Sequence, residues 1–238
     1  MYKLLSILAI IVPFAVSAQN YTFSEYQRDA NDVDVHIDKP DGFNCLSDTS
    51  SEIRNPLTLD INPEFRIPGC GHHYPTIGWI YSAIFESDNK DALLMYPGLF
   101  KYLAPLDHLI EQEIQASNSD HGLDVRPYLT TIAKEDMTQY ANADTVIIYE
   151  FDIKGKPVLG RYNHCIGIYT RKYAHPNLGL KIITNSIGPA KKDEYIKTML
   201  KSVRYGNDVS AEGKKWEQDY PGAITILSQS PRPSSHQH

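Results

Sequence analysis

The sequence predicts an α+β fold in which an antiparallel β-sheet packs between helices, with another single-domain α/β sandwich as the alternative. Three observations predict it. The stretch Asp144–Tyr205 reads as three β-prone runs followed by an amphipathic helix. Two apolar runs, Trp79–Glu86 and Ala92–Tyr96, flank the polar pentapeptide Ser87–Asp91, which is the pattern of a β-hairpin. Pro105 and Pro127 each open an apolar stripe at helical spacing, and proline at a first helical position leaves no extra donor unsatisfied. A chain of 238 residues suits one such domain.

Residues 1–18 have the form of a secretory signal. Lys3 is the positive end, Leu4–Val16 the apolar run, and Val16-Ser17-Ala18 a small-residue cleavage site before Gln19. The run is too short to span a bilayer, which takes ~20 residues. Export to the periplasm or the extracellular space is therefore expected, with no membrane insertion after the signal is removed. Residues 19–32 read as a polar lead-in carrying Tyr21, Phe23 and Tyr26. A single α+β domain is expected over 33–206, and a polar, partly disordered tail over 207–238.

Within the domain, Val33, Val35 and Ile37 alternate with Asp34 and His36, as in a half-buried strand. Lys39–Phe43 is a Pro-Asp-Gly turn. Residues 44–74 are loop-like, with one short alternating run at Leu57–Ile61. After the hairpin, Leu106, Leu109, Ile110 and Ile114 mark a helix with Glu111 and Glu113 facing out. Leu129, Ile132, Ala133, Met137 and Tyr140 mark a second helix starting at Pro127. On the strand that follows, Ile147, Tyr149, Phe151 and Ile153 share one face and Val146 and Ile148 the other, so both faces are expected to be covered at its start. His164, Ile166 and Ile168 lie opposite Cys165, Gly167 and Tyr169 on the next strand. Leu178–Thr184 is the third. The final helix, Pro189–Tyr205, carries Tyr195, Ile196, Met199, Leu200 and Val203 on its apolar face, with Gly206 as its C-terminal cap.

The formal net charge is −6, and the signal carries only Lys3 among charged residues, so its removal makes the chain more acidic still. That balance excludes nucleic acid as a partner, since phosphate recognition relies on Lys and Arg. Expected partners are a protein or a small-molecule ligand. Tyrosine dominates the aromatic content, 16 against 7 Phe and 2 Trp, which places hydroxyls where buried rings approach water.

An early strand, the Pro40–Phe43 turn, a meander of strands and a last helix ending at Ser202-Val203 together resemble the Mog1/PsbP-like fold over Val33–Tyr205. The resemblance implies an antiparallel sheet between helices. It does not imply one activity, because members range from small-GTPase binding to photosystem accessory roles. Tyr162–Tyr205 is also similar to the C-terminal part of uncharacterised exported proteins of Bacteroidetes-type bacteria.

Three cysteines are present. In an oxidising compartment Cys45 and Cys70 are candidates for a disulfide, with Cys70–Cys165 as the alternative. Gly69–His73 holds the sharpest local cluster: His72 and His73, joined by Cys70, His36 and His164, would form a nitrogen and sulfur site suited to zinc or copper. The competing reading is a turn with solvent-facing histidines and no cofactor. His164 and Cys165 are strand neighbours on opposite faces, so they cannot form a thiolate–imidazole pair. Glu86 and Glu150 are the carboxylates a glycosidase reading would need, and nothing in the sequence joins them. Tyr74, Trp79, Phe100 and Tyr102 are candidates to line a groove. No nucleophile elbow, P-loop or dinucleotide fingerprint occurs. The sequence thus predicts an exported, soluble, non-catalytic binding or accessory module of the cell envelope, with an exported hydrolase or metal-dependent enzyme built on the Cys70–His73 loop as the alternative.

Overall fold

The computed structural model describes residues 23–46, 81–97, 110–111, 113–115, 124–153 and 157–219. The expected signal, the Leu57–Ile61 run and the Cys70–His73 loop lie outside them. So do Tyr74, Trp79, Phe100, Tyr102 and the chain after Asp219.

The centre is a seven-stranded antiparallel sheet in the order β2-β3-β4-β8-β7-β6-β5. Its strands are β2 (Phe43–Cys45), β3 (Tyr81–Ser87), β4 (Ala92–Pro97), β5 (Thr130–Thr131), β6 (Thr145–Asp152), β7 (His164–Arg171) and β8 (Leu178–Thr184). The expected hairpin is β3–β4, with Phe85 opposite Leu94. Its turn is held by Ser87 Oγ, which accepts from the backbone N–H groups of Asp91 and Ala92 and donates to the Asp91 carboxylate. The helices are α1 (Phe23–Asn31), α2 (helical at residues 110–111 and 113–115), α3 (Lys134–Ala141), α4 (Pro189–Lys201) and α5 (Ala211–Asp219). Among the described residues no helix is long and apolar enough to cross a membrane.

Both faces of the sheet are covered, and period-2 alternation sorts the side chains between them. Val146, Ile148, Ile166, Ile168, Leu180 and Ile182 meet α1, α3 and α4 on what we term the helical face. Ile147, Tyr149, Phe151, Cys165, Tyr169 and Ile183 meet Ile110, Ile114, Val158 and Tyr162 on the second face. The expected division of β6 and β7 holds residue for residue.

Several elements differ from the sequence expectation. The polar lead-in contains α1, because Phe23, Tyr26 and Ala30 fall at helical spacing and form one apolar side. Phe23 meets Phe85 edge-on at 5.0 Å, and Tyr26 and Ala30 are fully buried. The first predicted strand begins two residues late. Val33 is in a turn, and Asp34 takes a left-handed φ of 58°. That leaves β1 as Val35–Ile37, which pairs outside the main sheet. Its partner is β9 (Val203–Tyr205), the segment expected to be the last turn of the final helix. The helix stops because Ser202 Oγ donates to the Met199 carbonyl at 2.7 Å and lies 2.6 Å from the buried Tyr96 hydroxyl. Val203 and Tyr205 then alternate as strand residues. Gly206 is not a helix cap. Its N–H donates to the Asp34 carbonyl at 2.8 Å, and a Cβ there would fall inside the Asp34 carboxylate.

The helix expected from Pro127 is a 3-10 turn, Arg126–Tyr128, followed by β5 and only then α3. Two β-branched threonines, Thr130 and Thr131, pair with Ile148 and Ile147 and interrupt the helical run. The expected tail contributes α5, whose Trp216 is 5% exposed beneath the Arg171 guanidinium. Arg171 also pairs with Glu217 at 2.5 Å. Glu113 does not face out. It is buried on the second face beside Lys181.

Candidate ligand-binding cleft

Cross-strand partners in a sheet point to the same face. Asp152 pairs with His164, and His164 with Thr184, so these three form a row across β6, β7 and β8 on the helical face. Glu150 lies two residues back on β6 and shares that face. The strands end here, α4 begins at Pro189, and an open cleft of about 550 Å³ separates them. Asn163, Asn185 and Ser186 add polar groups to its lining, and Ile153, Ile166 and Ile187 add apolar ones.

The charged side chains form a chain of contacts. His164 Nδ1 lies 2.8 Å from Asp152 Oδ1, and Nε2 lies 3.2 Å from Glu150 Oε2. Lys192, in the first turns of α4, donates to Glu150 Oε1 at 2.8 Å. Burial acts to raise the Glu150 carboxyl pKa, but the hydrogen bonds from Lys192 and His164 outweigh it and hold the group below its ordinary value. Both ring nitrogens of His164 face carboxylates, so neither is placed to activate a hydroxyl. Thr184 stands on the other side of His164. It is fully buried, lines the cleft, and among the described residues its hydroxyl has no hydrogen-bond partner.

A second polar row crosses the same strands on the opposite face. Tyr149, Gly167, Lys181 and Met95 are successive cross-strand partners. Lys181 Nζ donates to Glu113 Oε2 at 2.6 Å and also to the Tyr149 hydroxyl, which itself donates to Glu113 at 2.7 Å. Lys181 and Glu113 are 2% and 3% exposed. Gly167 is required here, since a Cβ would lie inside the Tyr149 ring. Burial pushes the nearby Cys165 thiol well up, which makes it inert. Glu86 also belongs to this face. It pairs with Arg161 and accepts from the Tyr162 hydroxyl at 2.8 Å. Burial pushes the Tyr162 hydroxyl up to about 12; the Arg161 hydrogen bond opposes this, and the Glu86 hydrogen bond adds a smaller rise.

The structure therefore separates residues that the sequence left unplaced. Glu86 and Glu150 lie on opposite faces and cannot share a substrate. His164 and Cys165 are likewise on opposite faces. His36 takes its contacts from Asn31 and Asp34, and His164 from β6. Among the described residues no cluster of three or more His, Cys, Asp or Glu is arranged to hold a metal ion. Cys70, His72 and His73 fall outside those residues, and the Cys45–Cys70 pairing with them. Among the described residues no disulfide forms.

The cleft was missed in the sequence because Asp152, His164 and Thr184 lie on separate strands that only the sheet register brings together. Lys181 carried a usable signal: a lone lysine at the middle of an apolar strand whose neighbours are covered on both faces. Protein families, curated proteins and solved structures offer no match to this chain.

Proposed function

We propose that the protein is an exported, soluble, non-catalytic binding or accessory module of the cell envelope, and that the cleft at the ends of β6, β7 and β8 is where it binds a small polar ligand. One observation carries this reading. The charged groups of the cleft satisfy one another in the chain Asp152–His164–Glu150–Lys192 and present no nucleophile–base pair. A volume of about 550 Å³ fits a small ligand. Export is supported by the Lys3, Leu4–Val16 and Val16–Ala18 pattern. What supports a Mog1/PsbP-like relationship is the antiparallel sheet with α4 packed on it.

The test is a ligand screen on the exported protein, read by thermal shift and by chemical-shift changes at His164, Asn185 and Ser186. Binding confined to those residues, with no turnover of the bound compound, is expected. Turnover that disappears in His164→Ala would replace this reading with an enzymatic one. N-terminal sequencing of the exported chain should begin at Gln19; a retained Met1 would remove the export claim.

A further inference from the structure

We infer that the cleft takes a small zwitterion, the chemistry of a free α-amino acid or a dipeptide, with the ligand's carboxylate at the start of α4 and its ammonium at Asp152. This rests on the binding role proposed above for the same cleft.

Each end of the cleft keeps hydrogen-bonding capacity that the protein does not use. At the α4 side that capacity is donor-like. The helix has 13 residues, so its dipole places positive charge at Pro189. Gly188 caps it without a side-chain hydrogen bond, and its first turn holds no acidic residue. Pro189 has no N–H. The N–H groups of Lys191 and Lys192 turn back to the Gly188 carbonyl at 3.1 and 3.0 Å, which leaves Ala190 as the first-turn donor aimed along the axis. The space beside Gly188 is open, since a Cβ there would meet nothing within 4 Å. Ile187 and Pro189, on either side of Gly188, line the cleft.

Thr184 is the independent second observation. A buried hydroxyl without a partner is uncommon in a native core and calls for an explanation. Its neighbours in the row explain the vacancy on the protein side. His164 has spent both nitrogens on β6, and Ala92, its partner on β4, has no polar side chain. A ligand in the cleft is the group that would complete it. Lys192 adds positive charge at the same side and pairs with Glu150.

At the β6 side the unused capacity is acceptor-like. Asp152 is 84% exposed, gives Oδ1 to His164, and among the described residues leaves Oδ2 uncommitted. Glu150 has both oxygens engaged and fixes the middle of the chain. A simple anion placed here would gain α4 and Lys192 but face two carboxylates. A simple cation would gain Asp152 but face the helix terminus and Lys192. A molecule with both charges meets a complementary group at each end, and Asn163, Asn185 and Ser186 suit its neutral centre.

The experiment is calorimetric titration of the exported protein with alanine, alanyl-alanine, N-acetylalanine, alaninamide and maltose. Alanine or the dipeptide is expected to bind, and the comparison of those two identifies the source. Removing either charge, as in N-acetylalanine or alaninamide, is expected to weaken binding at least tenfold. Thr184→Val is expected to weaken binding while leaving the melting temperature unchanged or higher, which a purely structural threonine would not do. Asp152→Asn, at an exposed position, is expected to weaken alanine but not N-acetylalanine. Equal binding of the singly charged analogues or of maltose, with cleft shifts intact, overturns the zwitterion and leaves the binding cleft standing. No cleft shift with any of the five compounds overturns the zwitterion, and failure of the wider ligand screen as well overturns the cleft.

Discussion

Two polar rows cross β6, β7 and β8, one on each face, and they use similar residues to opposite ends. On the second face Lys181, Glu113 and Tyr149 are sealed from solvent and every partner is fixed. On the helical face Asp152, His164, Glu150 and Lys192 keep between 30% and 84% of their side-chain exposure. Charges buried together are cut off from water, so their geometry is rigid and breaking it is costly. Charges at a cleft mouth can trade a protein partner for water or a ligand at little cost. The difference teaches that ionic contacts in this molecule divide by burial: one row holds the sheet to α2, and the other stays open to solvent.

The largest test of this division is Lys181→Met. Removing the cation beside the buried Glu113 carboxylate should cost about 3–5 kcal/mol in chemical unfolding. The double variant Lys181→Met/Glu113→Leu should recover most of that loss, and no recovery would show that the lysine matters through packing. Next is Gly167→Ala, which drives the Tyr149 ring away from Lys181 and should cost about 1–3 kcal/mol as overpacking. An unchanged unfolding midpoint would mean that the ring is free to move. Tyr96→Phe removes the contact that ties β4 to the end of α4 and should cost about 1 kcal/mol, because Ser202 keeps its bond to Met199.

The smallest effect is expected on the cleft row. Glu150→Gln should change stability by less than about 1 kcal/mol, since the pair is partly exposed. Its pH signature has a definite sign. The folded-state pKa of Glu150 is lowered, so its contribution is fully present above the ordinary value of 4.5 and is lost as pH falls through the lowered one. Stability curves of the parent and Glu150→Gln should therefore converge in acid and separate above that value. A constant separation down to the acid limit would remove the Lys192 and His164 contacts as the cause.

The sheet was largely legible in the sequence, and the reason is local. β3–β4 and β6–β7–β8 are joined by short connections, and each carries its own alternation, so period and turn residues suffice. What escaped was set by distant partners. Val203–Tyr205 continues a helical stripe in sequence, and only Val35–Ile37 turns it into a strand. Thr130 and Thr131 leave the helical reading because the outer edge of β6 accepts them. Glu113 sits at an outward position of a short stripe, and a lysine 68 residues away draws it inward. The cleft row was illegible for the same reason. Asp152, His164 and Thr184 become neighbours only through strand register, which no spacing within one segment encodes.

The ribbon β1–β9 joins Val35 to Tyr205, the two ends of nearly everything the structure describes. A chain made from its N-terminus first must produce Tyr205 before β1 has a partner. Closing so long a loop carries an entropic cost that is met only once the intervening sheet has drawn the ends together. The first of the described strands to leave the ribosome is therefore among the last to settle, and a chain truncated before Val203 would keep its sheet strands while leaving β1 without β9.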